Sequence, residues 1–123
     1  MAIEKLVKSG DWKGEKHVPA IIAPEKFTAG EAIKVKVHVG EEIGHPNTLE
    51  HYIKWIKLFF IPEGGSVAVE LGNYEFAAHG ELENFAEPCA EVTVKLPKSG
   101  KLYAMSYCNI HGLWENELEV TAE

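Results

Sequence analysis

The feature that most restricts the fold is a strict alternation of apolar and polar residues, seen most cleanly in EAIKVKVHV, residues 31–39. Ile33, Val35, Val37 and Val39 alternate there with Lys34, Lys36 and His38. A period of two puts the apolar set on one face of a strand, whereas the 3.6-residue period of a helix would scatter it. The same pattern returns in LWENELEV, with Trp114, Asn116, Leu118 and Val120 on one face and Glu115, Glu117 and Glu119 on the other. VPAIIA, HYIKWIKLFFIP, SVAVELGNYEF, AEVTVKL and KLYAMSY complete a set of seven candidate strands. Turn-forming clusters separate them at APEKFTAGE, GEEIGHPNT, PEGG, NFAEP and PKSGK. Seven short strands with short connections predict an all-β fold, a seven-stranded antiparallel immunoglobulin-like β-sandwich with function placed on the loops at its ends.

A chain of 123 residues without internal repeats or a Gly/Ser linker is expected to form one domain, 1–123, around one core. Only 12 Lys plus Arg stand against 19 Asp plus Glu, for a net charge of −7, which excludes a general nucleic-acid binder because phosphate neutralisation needs a basic face. No apolar run approaches the roughly 20 residues of a membrane-spanning helix, and MAIEKLVKSGDWKGEKH lacks the apolar stretch of a secretory signal, so a cytoplasmic setting is expected. The two cysteines, Cys89 and Cys108, are then expected as reduced thiols with separate roles. Cys89, beside Pro88 at a strand start, reads as a small buried hydrophobe.

The six histidines are informative through their placement. His38 on the polar face of its strand and His79 in AAHGE read as solvated side chains. His17, His45, His51 and His111 all fall in or beside turns, and His111 follows Cys108 at a spacing of three. Singly, each reads as a surface group; together with a thiolate, four imidazoles suit a borderline transition metal such as zinc, copper or iron. Three sites fit these donors. A structural zinc site would normally have a second cysteine close by. A blue-copper site matches His45 and Cys108-x-x-His111, but GLWENELEV has no axial methionine and His17 and His51 are left over. A five-ligand site of four imidazoles and one thiolate would carry one net positive charge with a divalent ion, attract an anion and leave one coordination position open. Trp12, Trp55 and Trp114 read as packing residues.

Three blocks carry a resemblance. EKHVP (15–19), HPNTLEH (45–51) and CNIHGLWE (108–115) occur in the order seen in the superoxide reductase family, and the chain resembles its neelaredoxin type over most of its length. It has neither the cysteines nor the length for the additional N-terminal four-cysteine iron domain of the desulfoferrodoxin type. The resemblance implies a mononuclear non-haem iron, Fe2+/Fe3+, with His17, His45, His51 and His111 as equatorial ligands and Cys108 as axial thiolate. It implies that Glu15 binds the oxidised iron and that Lys16 sits near the incoming anion. The implied reaction is one-electron reduction of superoxide to hydrogen peroxide, with a rubredoxin-like donor and a homotetrameric assembly. A protein of net charge −7 repels superoxide on average, so capture needs a local positive field such as Lys16 beside the metal would supply.

Overall fold

The computed structural model describes residues 2–123. Its regular structure is almost entirely β: β1 (Val7–Lys8), β2 (Pro19–Ile22), β3 (Lys26–Phe27), β4 (Ala32–Val39), β5 (Ile53–Pro62), β6 (Val69–Glu75), β7 (Cys89–Lys95), β8 (Gly100–Cys108) and β9 (Gly112–Ala122), with two single-turn 3-10 segments. All seven strands expected from the alternation form. β1 and β3 are additions of two residues each, too short to show a period, and they pair in parallel along β9.

The strands make two sheets. The larger has the order β1-β9-β8-β5-β6 with β3 on β9, and the smaller has the order β2-β4-β7. Apart from β1 and β3, every pairing is antiparallel. The core lies between the sheets and includes the apolar faces read in the sequence, Val35, Val37 and Val39 of β4 and Val120 of β9, together with Ile56, Leu58 and Phe60 of β5 and Leu102 and Ala104 of β8, all at most 3% exposed. Burying one such Leu or Ile side chain contributes roughly 1.5–3 kcal/mol, so this layer fixes the strand register as well as the stability. No described helix is long and apolar enough to cross a membrane.

Two features of this frame prepare the functional end. In β8 the inward set Leu102, Ala104, Ser106 continues to Cys108, so the period of two buries the thiol completely at the end of a core strand. The connection between β4 and β5 passes from the small sheet to the large one, carrying His45 and His51 across the same end of the sandwich.

Candidate metal centre

Three connections meet at that end. His17 lies two residues ahead of β2 and is 7% exposed, its backbone carbonyl accepting a bond from the buried Ser106 hydroxyl at 3.5 Å. Trp114 of β9 stacks on its ring, with centroids 4.9 Å apart and planes 15° from parallel. Cys108 and His111 sit on the β8–β9 hairpin, where Cys108 pairs with Gly112 across a three-residue turn. Gly112 has φ +81°, the left-handed position that closes such a turn and that few other residues adopt without strain. His51 lies two residues ahead of Ile53, the β5 residue paired with Cys108, and a bulge between Ile53 and Trp55 re-aims the start of that strand.

The ligand-type atoms of His17, His45, His51 and Cys108 all lie within 4.8 Å of one another. His111 joins them through Nδ1, which is 3.0 Å from His17 Nε2, 3.2 Å from His51 Nε2 and 3.8 Å from Cys108 Sγ. Donors about 2.1 Å from a common ion stand at most ~4.2 Å apart across it, so the cluster has nearly the size of a coordination sphere. All five candidate ligands from the sequence are therefore gathered at one point, including His17 and His51, which a three-ligand copper site would leave over.

The outer bonds of the imidazoles decide which nitrogens face inward. His17 Nδ1 donates to Glu15 Oε1 at 2.7 Å, and His45 Nδ1 donates to the Pro46 carbonyl at 2.6 Å. Since both acceptors lack a proton, each ring carries its hydrogen on Nδ1 and points the lone pair of Nε2 at the cluster. His45 Nε2 is buried and has no hydrogen-bond partner among the described residues. One proton on His111 Nδ1 could serve only one of its two nitrogen neighbours. Converging lone pairs with one buried acceptor unpaired is an unfavourable arrangement unless a cation sits among them. Imidazole, a borderline donor, and thiolate, a soft one, suit iron, zinc or copper and do not suit magnesium or calcium.

The electrostatics keep the nitrogens available. Burial pushes the His45 pKa down to about 4, with smaller contributions from the charges of His17, His51 and Lys16. Burial also lowers His17, against the opposing bond from Glu15, and lowers His51. The bonds from His17 hold the Glu15 carboxyl below its usual range. Lys16 is half-buried beside these groups, and its charge contributes to the lowering at His17, His45 and His51 alike. At the sulfur, the His111 backbone N–H points to Sγ at 3.4 Å.

Other residues take roles or positions that the sequence did not indicate. Asn109 binds the hairpin turn to the His51 loop, donating from Nδ2 to the Glu50 carbonyl at 2.9 Å and accepting from the Tyr52 N–H at 2.9 Å. Trp114, read as packing, also donates from Nε1 to the His111 carbonyl at 3.2 Å. His38 pairs with Glu41 at 2.5 Å and is half-buried rather than solvated. Cys89 is exposed, not buried, because the β7 alternation turns Ala90 inward and Cys89 out, and it is outside the cluster.

The sequence profile of the desulfoferrodoxin family matches residues 9–117. The chain belongs to the desulfoferrodoxin family. Among similar proteins, the superoxide reductase of Pyrococcus furiosus is 54% identical, over 94% of this chain and 97% of the relative. The neelaredoxin of Megalodesulfovibrio gigas is 42% identical, over 94% of each chain. A solved structure, the superoxide reductase (neelaredoxin) of Archaeoglobus fulgidus in the reduced form, superposes with a TM-score of 0.86 at 47% identity, covering 94% of this chain and 98% of that one.

Proposed function

We propose that the chain is a superoxide reductase of the neelaredoxin type, a single iron-binding domain over 1–123 that converts superoxide, one electron and two protons into hydrogen peroxide. The observation that carries this reading is the convergence of His17, His45, His51, His111 and Cys108 at one end of the sandwich, in a chain whose relatives bear that name. Iron held by four imidazoles and a thiolate would supply the one-electron chemistry, with the sulfur donating electron density to the metal.

The remaining roles belong to the chain's own side chains. Cys108, fully buried with the His111 amide directed at its sulfur, is kept from solvent and from oxidation. His17 and His45 are held in the Nδ1–H form by Glu15 and Pro46, which leaves Nε2 free for coordination without loss of a proton. Lys16 provides the local positive field that draws a small anion toward a protein of net charge −7. Glu15 is the carboxylate that the resemblance assigns to the oxidised iron, and its bond to His17 is the arrangement it would leave to reach that position. A rubredoxin-like external donor and a homotetrameric assembly, both supported by the family resemblance alone, and the cytoplasmic setting expected from the sequence complete the reading.

The experiment is direct. Iron(II)-loaded protein is mixed with superoxide under anaerobic conditions, and peroxide and oxygen are measured. One peroxide per superoxide consumed, with no oxygen released, is expected. Oxygen evolved alongside peroxide at half the superoxide consumed, as in dismutation, would refute the assignment.

A further inference from the structure

The loop that carries His45 and His51 has little regular structure of its own, and five residues separate the two histidines. Its internal support is a turn in which Thr48 N–H donates to the His51 carbonyl at 2.9 Å and the Thr48 hydroxyl accepts from the His51 N–H at 3.1 Å. Such a turn fixes residues 48–51 relative to one another and does not fix them relative to the sandwich.

A second segment, residues 78–87, lies against this loop and binds it at successive points. His79 donates from Nε2 to the Leu49 carbonyl at 3.0 Å, and Asn47 donates from Nδ2 to the Ala86 carbonyl at 3.1 Å. The His79 ring stacks on Tyr52, with centroids 3.4 Å apart and planes 26° from parallel. Leu49 packs on Gly80 so closely that a Cβ there would stand 2.5 Å from Leu49 Cδ2. Leu49, Tyr52 and Asn47 are each within two residues of His45 or His51 in the chain.

The 78–87 segment is stiff enough to serve as support. His79 and Phe85 form an antiparallel bridge, Ala86 N–H donates to the Ala78 carbonyl at 2.9 Å, and Gly80 N–H donates to the Asn84 carbonyl at 2.7 Å. Leu82 and Glu83 have φ of +50° and +67°, and the Asn84 side chain donates to the Glu81 and Leu82 carbonyls at 3.1 Å each, pinning this turn. Non-glycine residues in the left-handed region are disfavoured and persist where surrounding contacts over-determine them. The strained turn presents His79 at its base, with Phe85 edge-on to the ring at 5.6 Å.

We propose that His79 is a positioning residue for the metal centre, locking the loop that carries His45 and His51 to the 78–87 segment. It combines a flat ring for Tyr52 with an N–H for the Leu49 carbonyl, two contacts that neither an aliphatic nor an amide side chain makes together. The inference rests on the reading of the five-residue cluster as a metal centre. Residues that orient ligands without touching the ion typically change metal affinity by about 10–100-fold when removed, because the bound geometry is no longer prepared in advance.

The full chain, loaded with iron(II) alone under anaerobic conditions, is challenged with a chelator, and iron release is followed for the wild type, His79→Ala, His79→Gln and Asn47→Ala. His38→Ala serves as a control, since His38 is also a half-buried, hydrogen-bonded histidine but pairs with Glu41 outside the cluster. Thermal unfolding of each iron-free variant is measured in parallel. His79→Ala is expected to release iron about tenfold faster or more, with His79→Gln and Asn47→Ala in between and His38→Ala like the wild type. Should His79→Ala not fold, the order Asn47→Ala and His79→Gln faster than His38→Ala carries the test. Release within twofold of the wild type for the folded variants, or rates that follow only iron-free stability, would overturn the proposal. A wild type that retains no iron would instead overturn the metal-centre reading itself.

Discussion

The unpaired Nε2 of His45 gives the metal-free protein a specific acid sensitivity. Its pKa falls from 6.5 to about 4 on folding, chiefly because protonation would place a charge on a half-buried ring whose Nε2 is shielded from water. A histidine with a depressed folded pKa contributes stability that is fully present above its unfolded value and is lost as pH falls through the folded value. The window is therefore pH 6.5 down to 4. The shift corresponds to about 3 kcal/mol in total, and roughly 2.5 kcal/mol is lost by pH 4.5. His17 and His51 are lowered in the same direction and add to the slope, so the contribution of His45 is read as a difference. Urea unfolding of the wild type and His45→Gln, both freed of metal by chelator, would be measured between pH 7 and 4.5. The wild type should lose about 2.5 kcal/mol more than the variant across that range, since glutamine does not titrate. Parallel curves for the two proteins would refute the claim that folding buries His45 in a form that excludes the proton.

Other outcomes follow from the same geometry. Lys16→Met should slow superoxide capture and flatten its dependence on ionic strength, because the field it supplies is screened over about 8 Å at physiological salt; stopped-flow rates at several salt concentrations check this. Cys108→Ser should abolish the thiolate-to-iron charge-transfer absorption of the oxidised protein, whereas Cys89→Ser, at an exposed position, should leave the spectrum unchanged. Ile56→Ala, at a fully buried site in β5, should cost about 2–5 kcal/mol by denaturant unfolding while leaving the absorption spectrum of the folded iron form intact.

The strands were legible because their information is local. Ile33, Val35, Val37 and Val39 announce β4 through a period that any reader of nine residues can see, and Cys108 follows from the same rule applied to Leu102, Ala104 and Ser106. β1 and β3 were not legible, because two residues have no period and their pairing with β9 depends on where the chain is led by the rest of the fold. The histidines divide the same way. His17, His45, His51 and His111 could be picked out by their turn contexts and block order, but nothing in AAHGE distinguishes His79 from a solvated side chain. Its partners, the Leu49 carbonyl and the Tyr52 ring, lie some thirty residues away and one of them is a backbone atom that every residue possesses. Asn109 was hidden for the same reason, bonding to the backbone of Glu50 and Tyr52.

By itself, then, the sequence determined the all-β class and the inward faces of β4 and β9, since both depend on residue type and short-range spacing, and through the family resemblance it named five candidate ligands. Only the tertiary structure decided which nitrogen of each ring faces the centre and that Glu15 is bonded to His17. It alone brought residues from three connections within coordination distance. Those outcomes depend on the direction in which two packed sheets aim their loops and on which carbonyl or carboxylate lies behind each imidazole, and neither is encoded in any contiguous stretch of the chain.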